Sequence, residues 1–355
     1  MTTGPAPACS RALVLGGGGV TGIAWQVGVL AGLRAAGVDL SDADAVFGTS
    51  AGAFVGAALA AGRDLEQLFA AQFEPDQGEL PAAASEEVMA AWYAAFVAGG
   101  TDRQQVGAAM GRIGKAHPEP VPLAARRGVV AARLGAVGWS AALRVTAIDA
   151  DTGDLHVFDA SSGVPLADAM AASGAVPGVW PLERFAGRAW IDGGMVSTAN
   201  ARLADGHDRV VVIAPLPEGY GAIPGADQDV AAMSTDSQVL LVSPDQDSIA
   251  AVGPNIYDPT RRGPAAAAGR AQGRAVAGNV AELWQRPGSR RGAQTGPLVL
   301  DQHPRARPDR LREGRRSWPS TALRCFAGSY RLAPRRPRRT RRFPGLDGVI
   351  DAGGA

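Results

Sequence analysis

The chain has 355 residues, 46% of them apolar, a formal net charge of +1 at pH 7 and two cysteines, Cys9 and Cys325. That length supports one large domain or two small ones with a sizeable core. No apolar run reaches the roughly 20 residues that span a membrane, and the cysteines give neither a disulfide framework nor a metal-ligand spacing.

The start, Met1 to Arg11, carries no basic segment followed by a long apolar one, so no secretory leader is read there and a reduced, cytoplasmic setting is expected. Ala12–Leu15 reads as a short buried strand. Four glycines follow, and from Gly22 the residues Ile23, Val27, Leu30 and Leu33 recur at helical spacing, with Gly37 as the closing cap. Ala45–Phe47 is a second strand, and "AFVGAALAAG" a second helix closing at Gly62. Asp64 to about Gly138 is mostly helical and shows no clear strand. Within it residues 74–138 read as a helical insertion, a candidate lid. Val88, Trp92 and Phe96 form a stripe there. It reads as core-facing packing, and the alternative is a membrane-contacting face built on Trp92 and Phe96. Strands return at "ALRVTAIDA" and "LHVFDA", then a helix at "PLADAMAAS", a strand end at "RAWIDGG", and buried strands at Asp208–Leu216 and "QVLLVSPD". A last helix ends near Trp284. Strand–helix alternation of this kind predicts an α/β fold with a mainly parallel sheet between helical layers, a domain over 11–284.

Beyond Trp284 the periodicity stops. Residues 287–355 carry 16 arginines and five acidic residues, an excess of 11 positive charges, which leaves the rest of the chain at −10. Residues 285–355 therefore read as an Arg/Pro-rich basic tail, disordered or out of frame. No aromatic interleaving accompanies its arginines, so a nucleic-acid partner is not expected.

Three motifs carry chemistry. Gly17-Gly18-Gly19-Val20-Thr21-Gly22 fits G-x-G-x-x-G between a strand and a helix. It suits a dinucleotide, with Asp39 as ribose ligand, and equally any anion held by backbone N–H groups at a helix start. Gly48-Thr49-Ser50-Ala51-Gly52 matches G-x-S-x-G at a strand-to-helix turn, where a strained backbone exposes a nucleophilic hydroxyl. Ser50 then needs a base. Of the histidines, His117 and His207 sit in loops, His156 on a strand and His303 in the tail; His207 could complete a Ser–Asp–His order. The alternative is Asp192 of "WIDGG", followed by Gly193 and Gly194, whose basicity rises in a dry site.

Together and in this order, "GGGGVTG", "GTSAG" and "DGG" resemble the patatin-like phospholipases, with "ASGAVPGVWP" similar to the family's segment before its DG motif. The resemblance spans about Arg11 to Trp284. It implies a three-layer α/β/α fold and a Ser–Asp dyad acyl hydrolase: Ser50 as nucleophile, Asp192 as base, and the N–H groups of Gly17, Gly18 and Gly19 as oxyanion hole. Gly22, Gly48, Gly52, Gly193 and Gly194 complete the motifs. It also implies a lipid ester as substrate, reached through residues 74–138 as a lid or acyl-binding region, transient membrane-surface contact, and no metal or cofactor. One departure stands out: Thr21 occupies a place where family members often carry Arg or Lys. Two other readings remain. A nucleotide-dependent oxidoreductase would leave "GTSAG" and "WIDGG" unexplained, and a non-catalytic lipid-binding protein has no reason to keep both Ser50 and Asp192.

Overall fold

The computed structural model describes residues 9–75, 78–117, 121–219, 223–285 and 298–299. In chain order the first elements are β1 (Arg11–Leu15), α1 (Gly19–Ala35), β2 (Ala45–Thr49), α2 (Ala51–Ala60) and α3 (Leu65–Ala70). Three helices follow, α4 (Glu86–Gly99), α5 (Arg103–Ala116) and α6 (Leu123–Leu134), then β3 (Leu143–Asp149), β4 (Leu155–Phe158) and α7 (Leu166–Ser173). A hairpin of β5 (Glu183–Phe185) and β6 (Arg188–Asp192) precedes β7 (Arg209–Ile213), α8 (Ala226–Ala231), β8 (Gln238–Val242), α9 (Gln246–Val252), α10 (Arg262–Trp284) and β9 (Leu298–Val299).

All nine strands form one sheet in the order β5-β6-β3-β2-β1-β7-β8-β9, with β4 also paired to β3. From β3 to β9 every pairing along this path is parallel, and β4, β5 and β6 join antiparallel. Parallel strands need cover on both faces, because the crossovers lay helices on each. Leu13, Leu15, Val211 and Ile213 point to the layer containing α1, α2, α7 and α10. Their neighbours Ala12, Val14, Val210 and Val212 point to the other face, under α8 and the single turn Ala201–Ala204. On that same face α4 and α5 cover Ile148 of β3 and Ile191 of β6. The result is the expected three-layer α/β/α arrangement with a mostly parallel sheet.

Helices α1 and α10 lie backbone to backbone. A Cβ on Gly28 or Gly32 would stand 2.2 or 2.3 Å from the carbonyl oxygens of Ala266 and Arg270, and one on Gly269 or Gly273 would stand 2.3 Å from those of Trp25 and Val29. Two G-x-x-x-G faces interlock, and no side chain larger than hydrogen fits at the crossing. Helix α1 begins at Gly19, a turn earlier than Gly22, because glycines carry no apolar period from which a start is read.

The segment expected to be a helical insertion holds α4, α5 and α6. Its stripe is inward: Val88 and Trp92 are buried, and the Trp92 Nε1–H donates to the Pro177 carbonyl at 3.1 Å. Phe96 is half-buried, whereas Tyr93 and Val97 on the outer face are exposed. A membrane face built on Trp92 is thereby corrected: that ring belongs to the core. No described helix is long and apolar enough to cross a membrane. Of the expected tail, 285–355, all but Gln285, Leu298 and Val299 lies outside the described residues.

Candidate active site

Register explains how two residues 142 positions apart in sequence meet. Along β3, the β2 strand pairs up to Thr49↔Thr146, and β6 takes the next position as Asp192↔Ala147. The opposite edge of β3 is occupied at Val145 to Ile148 by β4, so β2 and β6 share one edge. They run toward each other along it and stop end to end. Each chain must turn away at that point, Ser50 leaving β2 and Gly193 leaving β6.

The first turn is one residue long. Ser50 sits between β2 and α2 with φ 53° and ψ −116°, a conformation that L-residues rarely adopt, at a cost of about 1–3 kcal/mol. The strain is held by close packing: a Cβ on Gly52 would stand 2.0 Å from the Leu15 carbonyl oxygen, so the turn tightens onto β1 only with glycine there. The Gly52 N–H donates to the Gly16 carbonyl at 3.0 Å and the Ser50 N–H to Ser173 Oγ at 2.8 Å. At the second turn, Asn200 donates from Nδ2 to Thr49 Oγ1 at 3.1 Å and to the Gly193 carbonyl at 3.2 Å, and the Thr49 and Thr146 hydroxyls bond at 2.9 Å. One buried amide thus ties the end of β2 to the turn after β6.

Asp192 is fully buried. Burial pushes its carboxyl up to about 6, against the lowering effects of the Ser50 hydroxyl beside it, the Gly194 N–H at 2.7 Å and the more distant charge of Arg126. A carboxyl deprived of water by burial is a stronger base than an exposed one.

The glycine loop follows the carboxyl end of β1, next to Ser50. Its N–H groups differ. Gly17 donates to the Thr198 carbonyl at 2.8 Å, so its amide is already engaged. This departs from an oxyanion hole of three glycines. Gly18 caps α1 and Gly19 begins it, and among the described residues neither N–H has an acceptor, as expected for the first donors of a helix. Gln26 braces the loop through Nε2 bonds to the carbonyls of Gly16 at 3.0 Å and Gly22 at 3.2 Å. Thr21 is fully buried and its hydroxyl donates to the Ile256 carbonyl at 3.2 Å, so that position faces the protein interior.

A pocket of about 380 Å3, including space open to solvent, begins at Ser50 and Gly19 and is walled by Phe54, Trp180 and Tyr257. Three charged residues of the 74–138 segment enter it: Glu79, Arg126 and Arg133. Glu79 and Arg133 form a bidentate ion pair. Burial opposes ionisation of Glu79, yet the bond and charge of Arg133 outweigh it and hold the carboxyl below its ordinary range.

The pocket lining includes no histidine. His207 packs edge-on against Phe47 with Nδ1 at 2.9 Å from the Ala204 carbonyl, and His156 packs on Trp190. His303 lies outside the described residues. Asp39 follows α1 and precedes β2, at the amino-end side of these parallel strands, whereas the glycine loop follows the carboxyl end of β1; Asp39 is paired with Arg34 at 3.3 Å. At the carboxyl end of β2, where a ribose ligand would stand, the chain places Ser50. The dinucleotide reading fails on that geometry.

Among known protein families, the model described as patatin-like phospholipase matches residues 13–205. The chain belongs to the patatin-like phospholipase family. Lipid acyl hydrolysis is the general activity that membership brings. Two solved structures are similar to it. VipD from Legionella pneumophila is 13% identical with a TM-score of 0.37, over 77% of this chain and 67% of that one. The type III effector protein ExoU is 19% identical with a TM-score of 0.35, over 78% of this chain and 54% of that one. No curated protein matches the chain. Of the residues placed around the site of this patatin-like chain, Ser173 lies in the quoted "ASGAVPGVWP" segment, whereas Gln26, Asn200 and Arg126 carry no sequence motif. Only the fold brings them in.

Proposed function

We propose that this patatin-like protein is a serine acyl hydrolase that cleaves carboxylic esters of lipids, phospholipase A- or lysophospholipase-like, through a Ser50–Asp192 dyad. The observation that carries the reading is the position of Asp192, wholly out of water and beside the hydroxyl of a serine held in a strained turn. In the proposed cycle Ser50 Oγ attacks the ester carbonyl carbon as its proton passes to Asp192. The N–H groups of Gly18 and Gly19 receive the oxyanion, each such donor supplying roughly 3–4 kcal/mol in the transition state. Gly17 takes no part, its N–H being bonded to Thr198. Collapse breaks the bond to the alcohol, which leaves with the proton from Asp192. Water then attacks the acyl-enzyme, Asp192 accepts a proton from it, and the fatty acid departs as Ser50 regains its hydrogen. No step calls on a metal or cofactor.

The test is intact mass after treatment with a fluorophosphonate. The wild type should gain one adduct, and Ser50→Ala none. A folded wild type that stays unlabelled both in buffer and with vesicles would favour the non-catalytic lipid-binding reading.

A further inference from the structure

We propose that Arg126 is the anion-binding group of the pocket, and that it takes the phosphate on the alcohol side of a phosphate-bearing lipid ester. The proposal rests on the hydrolase reading and names the substrate class for the same site.

Arg126 and Arg133 are seven residues apart on α6 and therefore share a face, with Val129 and Val130 buried between them. Both enter the pocket that begins at Ser50. Their situations differ. Arg133 is neutralised by Glu79. Arg126 is only 5% exposed and has no ion pair among the described residues. Its Nε is buried without a partner, and Nη2 reaches only the Gly174 carbonyl, at 3.5 Å. Its guanidinium carbon lies over the Trp180 ring, 4.2 Å from the centroid. The nearby carboxylates are both committed, Glu79 to Arg133 and Asp192 to Ser50 and Gly194.

Structural arginines elsewhere in this chain look different. Arg262, similarly buried, donates from Nη2 to the Ala71 carbonyl at 2.7 Å and from Nε to Gln72. Arg209, also buried, donates to the Trp284 carbonyl at 3.1 Å. A buried cation without a counter-ion is costly, and at Arg126 burial and then the repulsion of Arg133 bring the pKa down to about 9. An arriving anion offsets that cost. The acyl side of an ester carries no charge, so the anion must lie on the alcohol side. A guanidinium edge matches the oxygens of a phosphate in a bidentate fork.

The test uses full-length Ser50→Ala, so that ligands bind without turnover, at pH 8, above the value of about 6 to which burial pushes the Asp192 carboxyl in the intact protein. Titration calorimetry compares a sub-micellar single-chain lysophospholipid with the monoacylglycerol of the same acyl chain. We expect the phosphate ester to bind at least tenfold more tightly, which is about 1.4 kcal/mol. Adding Arg126→Gln should abolish that preference, and Arg126→Lys should keep part of it. Equal weakening of both ligands would mean that Arg126 only supports the fold, and a preference unchanged by Arg126→Gln would place the phosphate elsewhere; either overturns the proposal. Inorganic phosphate is the third arm. Competition as strong as that of the lysophospholipid would assign the site to free phosphate and overturn the lipid source. The two proposals fail separately: an unlabelled wild type sinks the hydrolase, whereas a labelled wild type with no phosphate preference sinks only the role of Arg126.

Discussion

With its carboxyl pushed up to about 6 by burial, Asp192 is protonated in mild acid and could not there serve as the proposed base for Ser50. Hydrolysis of a soluble ester should therefore fall below about pH 6, with kcat/KM losing one order per pH unit. Asp192→Asn should cost roughly 10²–10⁴-fold at pH 8. The same burial predicts a change in stability of opposite sign. The folded state holds the Asp192 proton up to about pH 6, whereas the unfolded chain releases it near 3.8, the ordinary value for an aspartate. As pH rises between those values the wild type loses stability relative to Asp192→Asn. The difference should level off near 3 kcal/mol above pH 6, measured by urea denaturation at pH 4 and pH 8. Arg126 lowers the Asp192 pKa, so Arg126→Gln should move the acid limb of the activity profile to higher pH; an unmoved limb would mean its charge does not reach the base. Ser50 and Asp192 were legible in the sequence because turn chemistry restricts what can flank them. Arg126 was not: it is one of 34 arginines, and only the course of α6 distinguishes it.

At the level of elements, β1, β2, β7 and β8 were legible as short apolar runs buried on both faces, and β3 and β4 were legible as well. The hairpin of β5 and β6 was half visible, since Glu183–Phe185 has only three residues and a buried glutamate, Glu183, that pairs with Arg127. What no period reveals is the contact between α1 and α10. Its specificity lies in absent side chains, and a helix face made of glycines looks featureless. Gly28→Val or Gly273→Val should force the two backbones apart. We expect a loss of about 3 kcal/mol or more, as overpacking costs typically 1–3 kcal/mol even where neighbours can yield, and here they are carbonyl oxygens. Circular dichroism melts would check it, with Gly278→Ala, whose Cβ would meet open space, as the control.

Across the whole molecule, the last helix is anchored at Trp284, whose Nε1–H donates to Asp42 at 2.8 Å and whose carbonyl accepts from Arg209, with only the two-residue β9 described beyond Gln285. A chain ending at Gln285 should keep its hydrolysis of soluble esters, and one ending before Trp284 should melt at lower temperature. The outer face of α4 exposes Tyr93 and Val97, at 53% and 63%, and a role for it at a lipid surface is testable. Tyr93→Ser with Val97→Ser should reduce hydrolysis of vesicles more than of soluble short-chain esters, whereas Trp92→Ser should damage both alike. The glycine loop is among the first segments of the domain to be made, yet the groups that hold it come late. Thr21 bonds through both N–H and hydroxyl to the Ile256 carbonyl, and Gly19 abuts the same atom. At about 5–20 residues per second, roughly 10–50 s separate the synthesis of the loop from that of its support. On the proposed mechanism, a nascent chain would carry its nucleophile long before it could stabilise an oxyanion, and reactivity toward lipid would begin only when the domain is almost complete.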